Sequence, residues 1–263
     1  MHVWAVANQK GGVGKTTSTV NLGALLASAG HRVLLLDLDP QGSLTSYFGY
    51  NPDDMEKSIY DLFCHQGKIP EGLPGKIVVD TSHSGMKMIP SSSALATLER
   101  NISQQEGMGL VISKTLAQVW DDYDYALIDS PPLLGVLMIN ALAACERLII
   151  PVQTEYLALN GLERMVHTLD MVMKSRQQDF HYIVVPTMFD RRTQASQKCL
   201  RTLRHRYEGN IWHSAIPVDT KLRDASHHGL AISDFDSTSR GSRAYELLMK
   251  NLTAQETKQK IMN

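Results

Sequence analysis

The chain has 263 residues, of which 43% are hydrophobic and 20% are charged, and its formal net charge is -1. This composition is that of an ordinary globular protein and excludes a mainly disordered chain. A net charge so close to zero gives no overall attraction to nucleic acid or to an acidic membrane, so any such binding requires a local charged surface. The three cysteines form no C-x-x-C pair, which is typical of reduced thiols and not of a zinc site or a disulfide framework.

The first predicted element is a strand at 3–8, and no basic leader or signal-type apolar segment stands before it. The most apolar stretch of the chain, 131–145, is shorter than the roughly 20 residues that cross a bilayer. We therefore expect a cytoplasmic protein.

A glycine-rich segment follows this strand and opens a helix predicted at 16–29. Its sequence, ANQKGGVGKTT at 7–17, matches the phosphate-binding pattern G-x-x-x-x-G-K-[ST] except that Gln9 stands at the first glycine. Backbone N–H groups of such a loop surround phosphate oxygens at the positive end of the helix. The sequence therefore predicts a nucleotide site formed by Gly11, Gly12, Val13, Gly14, Lys15, Thr16 and Thr17.

The residue types of this loop predict how it holds a nucleotide with magnesium. We expect Lys15 to contact the β- and γ-phosphates, the Thr16 hydroxyl to bind Mg²⁺, and Thr17 to lie near the α-phosphate. Lys10 is not part of this pattern. From this segment alone, a functional role for Lys10 and an ordinary solvated lysine of the loop are equally compatible with the sequence.

Acidic residues end the next two strands, which are predicted at 32–39 and 125–130. Asp37 and Asp39 alternate with Leu38, so both carboxylates can point to the same side, where a carboxylate can position a water or lie behind a metal. Asp129 matches the acid that binds Mg²⁺ through water in P-loop proteins. Strand-end acids also cap helices and loops, and for either segment alone that alternative stays open.

Three more strands are predicted at 147–152, 181–188 and 211–216, and weak β signals at 77–80 and 86–89 interrupt a polar crossover at 51–90. Strands that are apolar throughout are typical of a sheet covered on both faces. The fold class predicted is therefore α/β, a doubly wound and mainly parallel sheet with its ligand at the carboxyl ends of the strands. We expect one domain over 1–263, with no separate helix-turn-helix before the P-loop.

Several ordered segments resemble the ParA/MinD group of deviant Walker A ATPases, in its ParA branch. The resemblance continues through the C-terminal region at 215–248 and so covers nearly the whole chain. The segments are KGGVGKTT (10–17), DLDPQGSLTSYFG (37–49), DSPPLLGVLMINALAA (129–144), PVQTEYLALNGLERM (151–165) and TMFDRRT (187–193).

The resemblance implies an ATP- and Mg²⁺-dependent homodimer with slow, partner-stimulated hydrolysis. In such a dimer Lys10 crosses to the phosphates of the other subunit, Asp39 positions the attacking water, and Asp129 acts on the magnesium through water. The loops 39–46 and 129–135 become switches that report the γ-phosphate. Met188 and Pro217 are the candidates for contact with the adenine.

ParA-type relatives bind DNA without sequence preference, whereas MinD-type relatives bind membrane through a C-terminal helix. The tail at 245–263 lacks the basic, aromatic-rich apolar face that a membrane needs, so membrane binding is disfavoured. Basic residues free of intervening acids offer DNA contacts, although a solvated helix face is the alternative. The candidates are Arg191, Arg192, Lys198, Arg201 and Arg204, with Lys221 and Arg223 further along. Val218 and Asp219 stand where many relatives have an arginine, which argues against strong DNA binding.

The function expected from the resemblance is the ATP-driven positioning or segregation of a cargo with a ParB-like or other activating partner. The cargo is a chromosome or plasmid, or a polar protein complex such as the chemotaxis arrays placed by ParC-type proteins, with recruitment to the nucleoid or cell pole. One alternative is a redox or metabolic relative resembling the nitrogenase iron protein, although 129–135 carries no cysteine for a cluster. A scaffold that binds ATP without hydrolysing it is the other.

Overall fold

The computed structural model describes residues 1–102, 107–176 and 181–262, and for 99–102, 170–176 and 256–262 it describes the backbone alone. Within these ranges seven strands form one sheet in the order β3-β4-β2-β5-β1-β6-β7. The strands are β1 (His2–Val6), β2 (Val33–Asp37), β3 (Val79–Asp80), β4 (Met86–Ile89), β5 (Tyr125–Asp129), β6 (Arg147–Gln153) and β7 (His181–Thr187).

Helices connect these strands and cover the sheet. They are α1 (Lys15–Ser28), α2 (Ser43–Tyr47), α3 (Ile59–Phe63), α4 (Leu73–Lys76), α5 (Leu95–Ile102), α6 (Val111–Gln118), α7 (Val136–Ala144), α8 (Tyr156–Arg176), α9 (Gln194–Arg206), α10 (Lys221–His227), α11 (Ile232–Phe235) and α12 (Arg240–Met262), with a short 3₁₀ turn at Met108–Leu110. None of the helices in the described ranges combines the length and apolar character that a bilayer span requires. The tail at 245–263, whose sequence disfavours membrane binding, falls partly outside the described residues.

Each central strand contributes to two apolar cores, because successive side chains point to opposite faces of a sheet. Val3 and Leu34 lie in the core that α6, α7, α8 and α9 cover. Trp4 and Leu35 lie in the core that α1, α10, α11 and α12 cover, and Trp4 is fully buried there. These two cores confirm the predicted doubly wound sheet with helices on both faces.

The weak β signals of the crossover at 51–90 belong to this same sheet. Strand β4 pairs parallel with β2, and β3 adds the single antiparallel pairing found among the described strands. The crossover therefore extends the sheet by two short strands at one edge.

The strand predicted at 211–216 is wrong. The segment follows β7 but makes only two isolated parallel bridges, Val184 with Ile211 and Phe189 with Pro217. Between the bridges His213 is exposed, so the chain leaves the sheet edge and the hydrogen-bond ladder is not continuous. The apolar residues of this segment are buried in both cores, Ile211 on the side that α6 to α9 cover and Trp212 and Ile216 on the side that α1 covers.

Helix α1 begins at the glycine-rich loop and agrees with the helix predicted at 16–29. Gly14 caps its N-terminus with a φ of 93°, a left-handed conformation that glycine adopts without strain. At the other end the backbone N–H of Gly30 bonds to the Ala27 carbonyl at 2.9 Å, and Gly30 is also left-handed. The loop is thus fixed between the end of β1 and a helix whose N-terminus points at it.

Candidate functional site

The candidate site lies at the carboxyl ends of β1, β2 and β5, three adjacent strands in the centre of the sheet. Their parallel registers place Val6 opposite Asp129, and Asp37 opposite Asp129 on the other side. Since the glycine-rich loop follows β1, this pairing brings the loop beside the strand-end acids. The sheet therefore assembles the segments that the sequence predicts as one site.

The glycine-rich loop presents open backbone to the site. Gly12 and Gly14 have φ values of 71° and 93°, and a Cβ added at Gly11, Gly12 or Gly14 would have no neighbouring atom within 4 Å. The loop is anchored from β7, because the Thr187 hydroxyl donates to the Val13 carbonyl at 2.9 Å. The space around three side-chain-free residues at a helix N-terminus has the form that phosphate binding requires.

Asn8 holds the start of the loop, and sequence reasoning did not identify it. Its side chain is 2% exposed; Oδ1 accepts from the backbone N–H of Lys10 at 2.9 Å, and Nδ2 donates to the Pro151 carbonyl at 2.7 Å. The polar residue at the end of an apolar strand was the available signal. Asn8 links the loop to the end of β6.

Lys15 is a buried cation at the first turn of α1. Its side chain is 8% exposed, and Nζ donates to the Lys10 carbonyl at 3.5 Å. Burial lowers the pKa of Lys15, while the negative charges of Asp129 and Asp39 oppose that shift. A lysine held in this way is available for an anionic ligand that would add negative charge to the loop.

Thr16 and Asp129 form an oxygen-rich pair that fits Mg²⁺. The Thr16 hydroxyl donates to Asp129 Oδ2 at 2.6 Å, whereas the buried Oδ1 atom has no hydrogen-bond partner. An unpartnered buried carboxylate oxygen is costly unless a ligand satisfies it, and carboxylate and hydroxyl oxygens are donors that Mg²⁺ prefers directly or through water. Burial raises the pKa of Asp129 to about 8, with the charge of Asp37 raising it further and the Thr16 hydrogen bond lowering it.

The two acids after β2 occupy different environments. Asp37 is fully buried and accepts hydrogen bonds from the Thr45 N–H (2.8 Å), the Thr45 hydroxyl (2.7 Å) and the Asp39 N–H (3.1 Å). Asp37 thereby fixes the segment 39–46, which is the capping alternative that the sequence left open. Burial raises the pKa of Asp37 to about 7.

Asp39 is only partly buried and faces the loop. Its Oδ1 accepts from the Gln41 N–H at 3.0 Å, and its carbonyl accepts from the Ser91 hydroxyl at 2.7 Å. Burial raises the pKa of Asp39, while the Gln41 hydrogen bond and the charge of Lys15 lower it. The structure thus places Asp39 near Lys15 with a carboxylate oxygen free of side-chain donors in the described residues.

Lys10 is paired within its own chain. Its Nζ forms an ion pair with Glu155 and donates to Gln153 Oε1 at 3.5 Å, and both partners lie at the end of β6. Sequence reasoning did not identify Glu155, because its contact with Lys10 joins residues 145 positions apart. The two ends of Lys10 are therefore tied to β6, through Asn8 and through Glu155.

Met188 and Pro217, the candidates for contact with a base, are brought together beside the loop. The bridge between Phe189 and Pro217 places their segments in register, and Met188 has a left-handed φ of 51° with its side chain 38% exposed. Thr187, next to Met188, is the residue that bonds to the Val13 carbonyl. The two candidates thus lie at one end of the glycine-rich loop.

The basic residues do not form one surface. Helix α9 packs on one face of the sheet through Cys199 and Leu203, whereas α10 packs on the opposite face through Ala225. This separates the basic residues on α9 from those on α10, while Arg191 and Arg192 lie in the loop between β7 and α9. The α9 members are Lys198, Arg201 and Arg204, and the α10 members are Lys221 and Arg223.

Several of these side chains already have partners. Arg192 pairs with Asp190 at 2.8 Å, and Arg204 donates to the His213 carbonyl. Lys198 and Arg201 are exposed, and neither makes an ion pair within the described ranges. The two residues one turn apart on α9 are therefore the best placed for an external anion.

Asp219, in the loop before α10, has a structural role. Its Oδ1 accepts from the Lys221 N–H at 3.1 Å, and its Oδ2 accepts from the Gly241 N–H at 2.9 Å. Asp219 therefore joins the starts of α10 and α12, where a carboxylate is favoured by the helix dipoles.

No group of three or more histidine, cysteine, aspartate or glutamate side chains suited to a metal occurs in the described residues. Cys64 is exposed, Cys145 is half-buried at the end of α7, and Cys199 is buried in α9. The cysteines thus lie on separate elements.

A pH prediction follows from the buried acids. The pKa values of Asp37 and Asp129 lie above the unfolded value of about 3.9, so each carboxyl holds its proton more tightly in the folded state. Their contribution to the free energy of unfolding therefore falls as pH rises from about 4 to about 8. In EDTA, Asp129→Asn should be more stable than the unmodified chain at pH 8, by on the order of 2 kcal/mol, and should show a flatter profile from about pH 5.5 to 8.

The measurement is urea unfolding followed by circular dichroism across that pH range. Asp124→Asn is the matched control, because Arg32 lowers the pKa of Asp124 to about 2 and its titration lies below the range tested. An unchanged pH slope in Asp129→Asn would contradict the assigned burial of this carboxylate.

Comparison with known proteins agrees with this geometry. A family model described as an AAA domain matches residues 1–182. The chain is 38% identical to the sporulation initiation inhibitor protein Soj of Bacillus subtilis over 251 residues, covering 95% of this chain and 97% of that protein. It is 33% identical to the chromosome partitioning protein ParA of Myxococcus xanthus, covering 96% of this chain and 88% of that protein.

A solved structure also matches over nearly the whole chain. It is cobyrinic acid a,c-diamide synthase from Mycobacterium smegmatis with a bound ATP analogue and magnesium, with 34% identity and a TM-score of 0.83, covering 98% of this chain and 96% of that one. The ligands of that protein are those predicted here from the glycine-rich loop, ATP and Mg²⁺. With the deviant loop, the strand-end acids and relatives of this similarity, the chain belongs to the ParA/MinD family of deviant Walker A P-loop ATPases.

Proposed function

We propose that this chain, as one ATPase domain over 1–263, dimerises on ATP and uses the cycle of binding and hydrolysis to position or segregate a cellular cargo. One observation carries the proposal. The glycine-rich loop, the buried lysine Lys15 and the strand-end acids lie together in one site, and a second lysine, Lys10, stands at the start of the loop. The similar proteins are named for chromosome partitioning and for inhibition of sporulation initiation, and these names support a partitioning role.

The cofactors are ATP and Mg²⁺. The backbone from Gly11 to Gly14 surrounds the phosphates, and Lys15 neutralises the β- and γ-phosphates from the first turn of α1. Thr16 and, through water, Asp129 hold Mg²⁺, which supplies charge neutralisation at the phosphates when bound. Thr17 lies near the α-phosphate, and Met188 and Pro217 contact the base.

Hydrolysis depends on Asp39 and Lys10. Asp39 orients the attacking water from the start of the segment 39–46, where its free carboxylate oxygen faces the site. Lys10 crosses to the second subunit and stabilises the negative charge that develops on its γ-phosphate, as an arginine finger does elsewhere. Two subunits are therefore needed for each complete site, which makes the rate slow until a ParB-like or other activating partner favours the dimer.

The first prediction for this mechanism concerns Lys15 and Asp39. Lys15→Ala should abolish nucleotide binding, because the phosphates lose their buried cation. Asp39→Ala should still bind ATP and dimerise but hydrolyse at least about a hundredfold more slowly, since the water loses its orienting group. Equilibrium binding of a fluorescent ATP analogue, sedimentation and phosphate release measure the three properties.

Asp53→Ala is the matched control, because Asp53 is an exposed acid in the same crossover with no ion pair among the described residues. It should behave as the unmodified chain does. Normal turnover by Asp39→Ala would exclude the assigned mechanism. If Asp53→Ala also lost turnover, the loss in Asp39→Ala would reflect damage to the fold and not the missing orienting group.

Non-specific DNA binding is proposed for the α9 surface, defined by Lys198 and Arg201 with Arg191 at its end. These exposed cations can contact phosphates of any sequence in a salt-dependent way. Such binding would place the ATP-bound dimer on the nucleoid. Pole recruitment by a protein partner, as for ParC-type positioners, requires no DNA contact.

The DNA prediction uses the ATP-trapped Asp39→Ala protein on arbitrary duplexes. Adding Lys198→Ala and Arg201→Ala should weaken binding at least roughly tenfold at about 0.1 M salt and lower the salt slope by about 2 for each subunit that contacts the duplex, because each such subunit loses two phosphate contacts. Arg192→Ala with Arg206→Ala is the charge-matched control, since these side chains pair with Asp190 and Glu163. Equal losses in the two pairs, or no gel shift by the trapped protein at low salt, would refute the α9 surface.

An ATP-dependent synthase is the second candidate, supported by the similarity to cobyrinic acid a,c-diamide synthase. A synthase would couple hydrolysis to an acceptor carboxylic acid and a nitrogen source, whereas a positioning ATPase needs a protein or DNA activator. Phosphate release measured with cobyrinic acid and glutamine, and separately with duplex DNA, distinguishes them. Stimulation by the former alone would favour the synthase, and a pull-down with the trapped Asp39→Ala protein would then find no adaptor.

A further inference from the structure

The proposed mechanism requires the Lys10 side chain to reach the phosphates of another subunit, yet in this structure its contacts are within its own subunit. Its backbone N–H bonds to Asn8 Oδ1 at 2.9 Å, and its ammonium group pairs with Glu155 and lies 3.5 Å from Gln153 Oε1. The backbone bond leaves the side chain free to swing about the loop. The ion pair is therefore the contact that has to break before Lys10 can reach another molecule.

Glu155 is well placed to hold Lys10. It lies two residues after the end of β6, and its backbone N–H bonds to the Gln153 carbonyl at 2.8 Å while its own carbonyl accepts from the Cys199 thiol at 3.3 Å. The backbone of Glu155 is thus attached to β6 and to α9. Among the contacts of the described residues, Lys10 is the one ion-pair partner of its carboxylate.

The ion pair is accessible and lies beside an exposed apolar surface. The Lys10 and Glu155 side chains are 36% and 41% exposed. Tyr156 and Leu157, the next two residues, are 76% and 70% exposed, and Leu133 after β5 is 70% exposed. Large apolar side chains on both sides of the glycine-rich loop are typical of a surface that another protein covers. A second copy arriving there would meet the ion pair directly.

We propose that Glu155 is a positioning residue that holds Lys10 in its own subunit until a second, ATP-bound copy offers phosphate oxygens instead. The terminal phosphate of ATP carries more negative charge than one carboxylate, so Lys10 transfers once the copies are close. Glu155 thereby sets how readily dimers form. This inference rests on the proposed ATP-dependent dimer.

Glu155→Gln tests the proposal, because the amide keeps the size of the side chain and removes its charge. With Mg²⁺ and a non-hydrolysable ATP analogue at saturation, the dimer dissociation constant should fall roughly fivefold or more, since each dimer no longer breaks two exposed ion pairs. Sedimentation velocity over a protein concentration series gives the constant. Without nucleotide, the variant and the unmodified chain should both remain monomeric.

Three further variants separate this role from a structural one. Glu155→Asp keeps the charge and should return the constant towards that of the unmodified chain. Glu163→Gln on α8, which removes a different ion pair, the one with Arg206 at the end of α9, should leave the constant unchanged. In a Lys10→Ala background, Glu155→Gln should have no effect, because there is no ammonium group left to release.

The outcomes distinguish the two proposals. If the unmodified chain dimerises with the analogue and Glu155→Gln does so no more readily, the role of Glu155 is refuted while the dimer stands. If Glu155→Gln strengthens the dimer equally with and without Lys10, the effect does not act through the ion pair and the inference also fails. If neither protein dimerises at any concentration tested, the proposed function fails and the role of Glu155 fails with it.

Discussion

A buried lysine facing carboxylates at the centre of the sheet is the interaction on which the candidate site depends. Burial of Lys15 disfavours its charge and lowers its pKa, and the negative charges of Asp129 and Asp39 oppose that shift. The same burial raises the pKa values of Asp37 and Asp129, which face each other across β2 and β5. An anionic nucleotide with a divalent cation satisfies both sides of this arrangement, because it brings negative charge to the lysine and positive charge to the acids.

The sheet produces this arrangement from local sequence signals, and for that reason much of it was predictable. Apolar runs of five to seven residues specify buried parallel strands, and parallel strands of one sheet end at the same edge. The glycine-rich loop and Asp129 could therefore be placed together from their positions after β1 and at the end of β5. The doubly wound fold, the helix at 16–29 and the cofactors were predicted on that basis.

The features that the sequence did not predict depend on contacts between distant segments. The apolar run at 211–216 has a strand-like composition, but beside the edge of β7 it makes only two isolated bridges, the second through Pro217 just after the run. Asp37 and Asp39 look equivalent in the sequence, and only the hydrogen bonds from Thr45 show that Asp37 anchors the loop. The pairing of Lys10 with Glu155 joins residues 145 positions apart, which no local pattern indicates.

The basic residues illustrate the same limit. The sequence groups the basic residues of 191–204 in one stretch with Lys221 and Arg223 further along, and the sheet places α9 and α10 on opposite faces. Intramolecular ion pairs then distinguish Arg192, which is exposed but paired with Asp190, from Lys198 and Arg201, which are exposed and make no ion pair among the described residues. Charge in the sequence becomes a binding surface only where the fold leaves it without an internal partner.

The central claim is that Lys10 acts on the site of the other subunit, and a mixing experiment tests it most directly. Lys10→Ala and Asp39→Ala are each expected to be nearly inactive alone, but in a mixed dimer the Lys10→Ala subunit keeps Asp39 and receives Lys10 from its partner. An equal mixture should therefore recover about a quarter of the partner-stimulated rate of phosphate release, since half of the dimers are mixed and each contains one complete site. If Lys10 acts on its own subunit, no complete site forms and the mixture stays inactive, which would contradict the account.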